Sequence, residues 1–184
     1  MDRKRKIIVY LATSADGFIA RLDGSVDWLE RPHPKGGYGM GTFYKSIDTT
    51  LWGRKTYDMA LDFQKKAVPG ADFDTKVKNY AFTRGRPPSQ PAAGVEFVSE
   101  TIKAFATRLR SEKGKNIWMM GGAGIIGSFL DEGEIDEFII NVIPTFIGEG
   151  IPLMAPHRRT VPLTLISSKN FSDGVVKLHY AVSK

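Results

Sequence analysis

The chain has 184 residues, 42% of them hydrophobic and 25% charged, a balance that fits one folded domain and excludes a disordered chain or two ordinary domains. It has no cysteine, which excludes disulfides, zinc–thiolate centres and a cysteine nucleophile, and His33, His157 and His179 are too scattered to suggest a metal site. The net charge of +6 favours an acidic partner and leaves nucleic acid, an anionic membrane surface and a phosphorylated small molecule open.

In chain order, "MDRKRK" at residues 1–6 reads as a solvated basic tail. The apolar run Ile7–Ala12 is far below the ~18 residues a membrane span requires, and short for a secretory leader. It is expected to be a buried strand in a cytoplasmic protein. Further β-branched or aromatic runs bounded by turn residues predict seven more strands, at "TTLW", "NYAFT", "VEFVS", "NIWMM", "EFIINVI", "LTLISS" and "VVKLHYAVS". Helical spacing places Ile102, Phe105, Ala106 and Leu109 on one face of a helix that Gly114 is positioned to end. Ile125, Ile126, Phe129 and Leu130 form the face of another helix before Gly133. A third helix follows Gly53, and a weaker one runs through "TFYKSI".

Strands alternating with helices through the middle, and two closing strands without a helix between them, predict an α/β fold: a mixed, mostly parallel sheet with an antiparallel end. The apolar strand near "FIINVIPTFI" is expected to form a dimer edge.

Two strand-to-helix turns carry the chemistry. "NIWMMGGAGIIGSFL" contains Gly122-Ala123-Gly124-Ile125-Ile126-Gly127, a formal G-x-G-x-x-G. A dinucleotide-binding half built on that turn would leave residues 1–121 unexplained, so the Rossmann fold is rejected. The local physics stands, because glycines let a backbone approach a phosphate and a helix start attracts its charge. In "LWGRKT", Gly53 leads Arg54, Lys55 and Thr56 into a helix, where cations are unfavourable unless an anion joins them. A third segment, "NYAFTRGR", ends a strand in Thr83-Arg84, and a guanidinium there suits a monophosphate such as the one that separates NADP from NAD. Each feature has a plainer reading: tight packing for the glycines and solvated surface charge for the cations. Two glycine-led helix starts in one small domain favour a ligand with several phosphates.

These segments, together with "YLATSADGFIA", "DWL" and "DEFIINVIPTFIGEGIPL", resemble the dihydrofolate reductase-like superfamily over essentially the whole chain. The closest likeness is to the pyrimidine reductase domain of bacterial riboflavin biosynthesis and its stand-alone homologues. The resemblance implies a single domain over residues 1–184, with a three-layer fold of about eight strands and four helices. It also implies an NADPH-dependent oxidoreductase acting on a small pteridine or pyrimidine-type heterocycle, and a homodimer. By the same resemblance the cofactor residues are Ala12, Ile19, Gly53, Arg54, Lys55, Thr56, Thr83, Arg84, Gly121, Gly122, Ala123, Gly124 and Ile125, with a cis peptide between Gly121 and Gly122. On the substrate side it places Trp28, Tyr38 and Phe43.

Residues 31–46 contain no acid, which leaves Asp16 and Asp27 as the carboxylates near the expected pocket. Each is a catalytic candidate and, equally, a loop cap, since Asp16-Gly17 is a turn signal. Tyr38 or a water is the other potential proton source. A catalytically silent NADPH-binding module is the competing reading. RNA binding is weaker, because no strand carries the aromatic pattern of an RNA-recognition sheet. Neither nucleic acid nor membrane is an expected partner.

Overall fold

The computed structural model describes residues 5–66 and 73–183; Met1–Lys4 of the basic segment lie outside them. The elements are β1 (Ile7–Ser14), β2 (Phe18–Ala20), α1 (Met40–Lys45), β3 (Ile47–Gly53), α2 (Arg54–Lys65), β4 (Lys78–Phe82), β5 (Val95–Val98), α3 (Ile102–Ser111), β6 (Asn116–Gly121), α4 (Ala123–Asp131), β7 (Glu137–Ile143), β8 (Ile151–Pro152), β9 (Leu163–Asn170) and β10 (Val176–Val182). The eight strands expected from sequence form one sheet in the order β5-β4-β3-β6-β1-β7-β10-β9, while β2 and β8 pair separately. Within the main sheet β10 runs antiparallel to both of its neighbours, so the antiparallel end is where the closing strands predicted it.

Helical periodicity decides the layers. Phe105, Ala106 and Leu109 of α3 and Ile126, Phe129 and Leu130 of α4 bury their stripes against Ile7, Val9, Leu51, Ile117 and Met119. Each fully buried side chain of this size stabilises the fold by about 1.5–3 kcal/mol. On the other face, Phe43 of α1 packs on Ile8 and Tyr10, and Tyr57 of α2 packs on Ala81 and Val95.

Three expectations are corrected. The strand at "FIINVI" is no edge: β7 lies between β1 and β10, and its near-continuous apolar run reflects burial on both faces. The edge on that side is β9, with Leu163, Leu165 and Ile166 at its surface, and β5 is the opposite edge. Gly114 does not end α3, which stops at Ser111 with Glu112 in an extended conformation. A Cβ at position 114 would lie 2.5 Å from Asp48 Oδ2 and 3.0 Å from the Arg5 guanidinium, so this glycine makes room for an ion pair. Finally, Arg5, read from sequence as part of a solvated tail, is only 3% exposed. It donates to Leu109 O at 3.1 Å, Lys115 O at 2.7 Å and Thr49 Oγ1 at 2.8 Å, and pairs with Asp48.

Lys6 is likewise engaged, 2.5 Å from Glu137 Oε1, and His179 Nε2 lies 2.8 Å from Glu137 Oε2. Burial opposes the Glu137 charge, but the hydrogen bonds from Lys6 and His179 outweigh it and hold the carboxyl below its usual 4.5. With the folded pKa depressed, this stabilisation is complete above the ordinary carboxylate range and is lost as pH falls through the folded value. Glu137→Gln is therefore expected to reduce unfolding free energy by about 1–3 kcal/mol at neutral pH. In acid the difference should shrink. Urea titrations at both pH values check this, and an equal loss in each would assign the effect to packing.

Candidate active site

The two glycine turns meet. β3 and β6 are adjacent parallel strands, and Trp52 pairs with Gly121, so the chain leaves both strands at the same end of the sheet. Gly53 and Gly122 are the N-caps of α2 and α4, and neither helix start is closed by a side chain. In α3, by contrast, Thr101 Oγ1 accepts from Ala104 N at 3.3 Å. A Cβ on Gly53 would stand 3.2 Å from Ile125 Cγ2 and 3.3 Å from both Gly121 O and Gly122 N. One on Gly122 would stand 3.2 Å from Thr56 Oγ1 and 3.8 Å from Ile19 Cδ1. Gly53, Thr56, Ile19, Gly121, Gly122 and Ile125, far apart in sequence, thus form one small-residue cradle. The Gly121–Gly122 peptide is cis, and Gly121 has φ +106°, a conformation that L side chains rarely adopt. Ala123 begins α4, its carbonyl accepting from Ala155 N at 3.0 Å, and Gly124 faces open space.

Beside this cradle the cations divide. Arg54 does not wait for an anion: its Nε lies 2.8 and 2.9 Å from the Asp58 carboxylate oxygens one helical turn on. That internal pair offsets the unfavourable charge at the helix start, so Arg54 has a partner within its own helix. Lys55 and Arg84 are exposed, and neither forms an ion pair among the described residues. Thr83 Oγ1 accepts from Gly85 N at 3.2 Å and closes the turn that carries Arg84.

The substrate side lies across a crevice. β1 pairs with β6 only as far as Val9–Met119, yet with β7 as far as Ser14–Ile143, so the far end of β1 parts from β6. Openings between the carboxyl ends of parallel strands are where α/β sheets bind ligands. Ala12 lies on this free stretch and packs in one apolar cluster with Trp28, Tyr38, Ile143, Val175 and Phe171. Trp28 is 8% exposed, and its buried indole Nε1 has no hydrogen-bond partner among the described residues. Phe43 sits deeper, edge-on to Tyr10 and Trp118 with ring centroids 4.7 and 5.5 Å away, and acts as support.

Both candidate carboxylates anchor loops. Asp27, on a 3-10 turn at Asp27–Leu29, receives Arg21 Nε and an Arg21 terminal nitrogen at 2.6 and 3.0 Å. Asp16 accepts from Ile147 N and Gly148 N at 3.1 and 2.8 Å. Arg21 holds the Asp27 carboxyl below its ordinary pKa, and hydrogen bonding from Ser14 and those two amides does the same for Asp16. Ionised and engaged, neither is placed as a proton donor at neutral pH. The Tyr38 hydroxyl is also committed, donating to Asp173 Oδ2 at 2.5 Å; burial and that carboxylate raise its pKa.

Sequence reasoning missed four residues beside Ala12. Asn141 of β7 pairs in register with Ala12 on one side and with Lys177 of β10 on the other, so all three share a sheet face. Tyr10, two residues before Ala12, donates to Tyr38 O at 2.9 Å, and Asp173 secures the Tyr38 ring. The available signal was a lone asparagine in "EFIINVI" and a lone lysine in "VVKLHY"; both break apolar strands, but sheet order alone reveals that they meet.

The model of the RibD C-terminal domain family matches residues 5–177. The uncharacterized protein YwjB of Bacillus subtilis (strain 168) is 42% identical over 177 residues, covering 96% of this chain and 98% of YwjB. Among solved structures, a candidate riboflavin biosynthesis protein of Shewanella sp. PV-4 superposes with a TM-score of 0.82 at 27% identity, covering 97% of this chain and 99% of that one. The dihydrofolate reductase of Enterococcus faecalis, solved with NADP(H), superposes with a TM-score of 0.65 at 16% identity, covering 97% of each chain. These likenesses bear out the expected fold.

Proposed function

This chain belongs to the RibD C-terminal domain family, and from that premise we propose that it is an NADPH-dependent reductase of a small pteridine or pyrimidine-type heterocycle. The observation that carries the reading is the contact between the two uncapped, glycine-led helix starts at Gly53 and Gly121–Gly122. A pyrophosphate fits such a place, because free N–H groups of two helices converge where no side chain intrudes.

Gly53, Thr56 and Gly122–Ile125 would hold the pyrophosphate, with Lys55 supplying positive charge. Arg84 would bind the 2′-phosphate, since it is an exposed guanidinium on the turn following β4 that forms no ion pair among the described residues. Ala12 and Ile19 would border the nicotinamide, and Trp28 would border a flat substrate. When bound, the dinucleotide supplies hydride; the protein aligns the rings and excludes water.

The decisive experiment is a tryptophan-fluorescence titration with NADPH and, separately, NADH. Wild type is expected to bind NADPH at least ~10-fold more tightly, and Arg84→Ala to lose about 10-fold or more in NADPH affinity while changing NADH binding little. Equal losses for both dinucleotides would move the 2′-phosphate elsewhere, and no binding of either would end the reductase reading.

The engagement of Asp16 and Asp27 as loop anchors favours a second reading, a silent NADPH-binding module. Tight NADPH binding without NADPH oxidation across a panel of pterins and aminopyrimidines would support it.

A further inference from the structure

Lys177 is the cation whose surroundings the fold alone does not explain. It stands one register position beyond Asn141 and two from Ala12, about 10 Å across the sheet from the latter. Its ammonium donates to Tyr38 O at 3.0 Å and lies 5.3 Å from the Tyr10 ring centroid. A Cβ on Gly39 would come within 3.2 Å of Nζ, so the glycine-rich loop covers it closely. Among the described residues no carboxylate forms an ion pair with Lys177, whereas the buried Arg5 and Arg110 each have acidic partners. Its register partner on β9 is another cation, Lys169. A half-buried ammonium without a counter-ion is costly to keep, and an ammonium has three N–H groups to satisfy.

Two further polar groups near this row have unused capacity. Asn141 is 5% exposed and, among the described residues, its Oδ1 meets no donor and Trp28 Nε1 meets no acceptor. Donors on Lys177 and Trp28 and an acceptor on Asn141 match the alternating C=O and N–H groups along the edge of an oxo-amino heterocycle. Of the other candidate proton sources, Tyr38 is committed to Asp173, and Asp16 and Asp27 to their loops, while His33 is exposed beside Tyr38, its Nδ1 3.4 Å from that hydroxyl.

We propose that Lys177 binds the heteroatom of the substrate's C=N or C=O bond and protonates it during reduction, with Asn141 and Trp28 fixing the ring; this rests on the reductase reading above. In that step the substrate carbon would gain a C–H bond with hydride that a bound reduced nicotinamide, the two-electron reductant, would supply. The π electrons of the double bond move to the heteroatom, an Nζ–H bond breaks as the heteroatom–H bond forms, and water returns a proton to the neutral amine. Burial, followed by repulsion from Lys169, lowers the Lys177 pKa, the direction that eases this transfer.

The test is calorimetric titration of the full chain, with NADPH present, using pterin and 5,6-diaminouracil as probes. Wild type is expected to bind at least one. Lys177→Met should weaken that probe by about 10-fold or more, the loss of one charge-assisted hydrogen bond, with NADPH affinity unchanged. Lys177→Arg, which keeps the donors but holds its proton too firmly to release, should retain the probe within about 3-fold yet lose turnover. Wild-type probe affinity in Lys177→Met, or binding of neither probe to wild type, overturns the proposal. NADPH binding alongside either result leaves the cofactor reading standing, so the two failures are separable. Should Lys177→Met not fold, acetylation of wild-type lysines decides: a bound probe must shield Lys177, and unchanged labelling overturns the proposal.

Discussion

Replacing Gly53 with valine is expected to lower NADPH affinity by roughly 100-fold or more, about 3 kcal/mol, in a protein that still folds. Position 53 has φ −76° and ψ 153°, ordinary extended backbone, so a branched residue meets no conformational objection there. The objection is contact. The new Cβ would already stand 3.2–3.3 Å from Ile125 Cγ2, Gly121 O and Gly122 N, and the two methyl groups need room beyond it. Either the two helix starts separate or the methyl groups take the space between them, and both outcomes remove the convergence of N–H groups that a pyrophosphate requires. Overpacking of this kind costs about 1–3 kcal/mol of stability, which thermal unfolding would register separately. Gly41→Ala, in α1 and outside the cradle, is the control, because a Cβ at 41 meets nothing within 4 Å. NADPH binding by Gly53→Val at the wild-type level would mean that the ligand lies away from these turns.

The second large effect concerns stability. Arg5→Met is expected to reduce unfolding free energy by about 2–4 kcal/mol and the midpoint temperature by roughly 5–15 °C. Methionine replaces the volume of the side chain but none of its donors. Leu109 O, Lys115 O and Thr49 Oγ1 would each lose a bond, and Asp48 would keep its charge without the guanidinium. Asp48 retains partial access to water, with 35% of its side chain exposed, which places the expected loss below that of a fully enclosed pair. Differential scanning calorimetry reads this directly. An unchanged midpoint would reduce Arg5 to the solvated tail residue that its sequence neighbours suggest.

In the proposed reading, cofactor binding and chemistry fall to different parts of the fold. The glycine cradle draws on backbone and small side chains from β2, β3, α2, β6 and α4, so its shape depends on close approach. The substrate face proposed above would draw on polar side chains of β7 and β10 and on Trp28, so its selectivity would depend on which groups those strands present. Asp16 and Asp27, the carboxylates that stand out in sequence, secure the loops framing the crevice.

Much of this was legible in the sequence, and the boundary follows from locality. The eight strands of the main sheet and the four helices announce themselves through apolar spacing and turn residues within short windows, which act before distant contacts form. The two glycine turns are legible for the same reason. The i,i+4 spacing of Arg54 and Asp58 is equally local, yet the sequence reading passed over it and left Arg54 to an outside anion.

What only the tertiary structure decided depends on segments far apart in the chain. Arg5 is buried because residues 48, 49, 109 and 115 converge on it. β7 is interior because β10 returns antiparallel along its outer side, leaving β9 as the edge. Gly53 and Gly122 touch because β6 enters the sheet between β3 and β1. Lys177 faces Ala12 across Asn141 through the register of three strands. Sequence alone determined the elements, the glycine-led helix starts and the family resemblance, since each rests on short-range pattern. Strand order and register determined the neighbours, because long-range pairing in a sheet is selected by the burial of whole faces together.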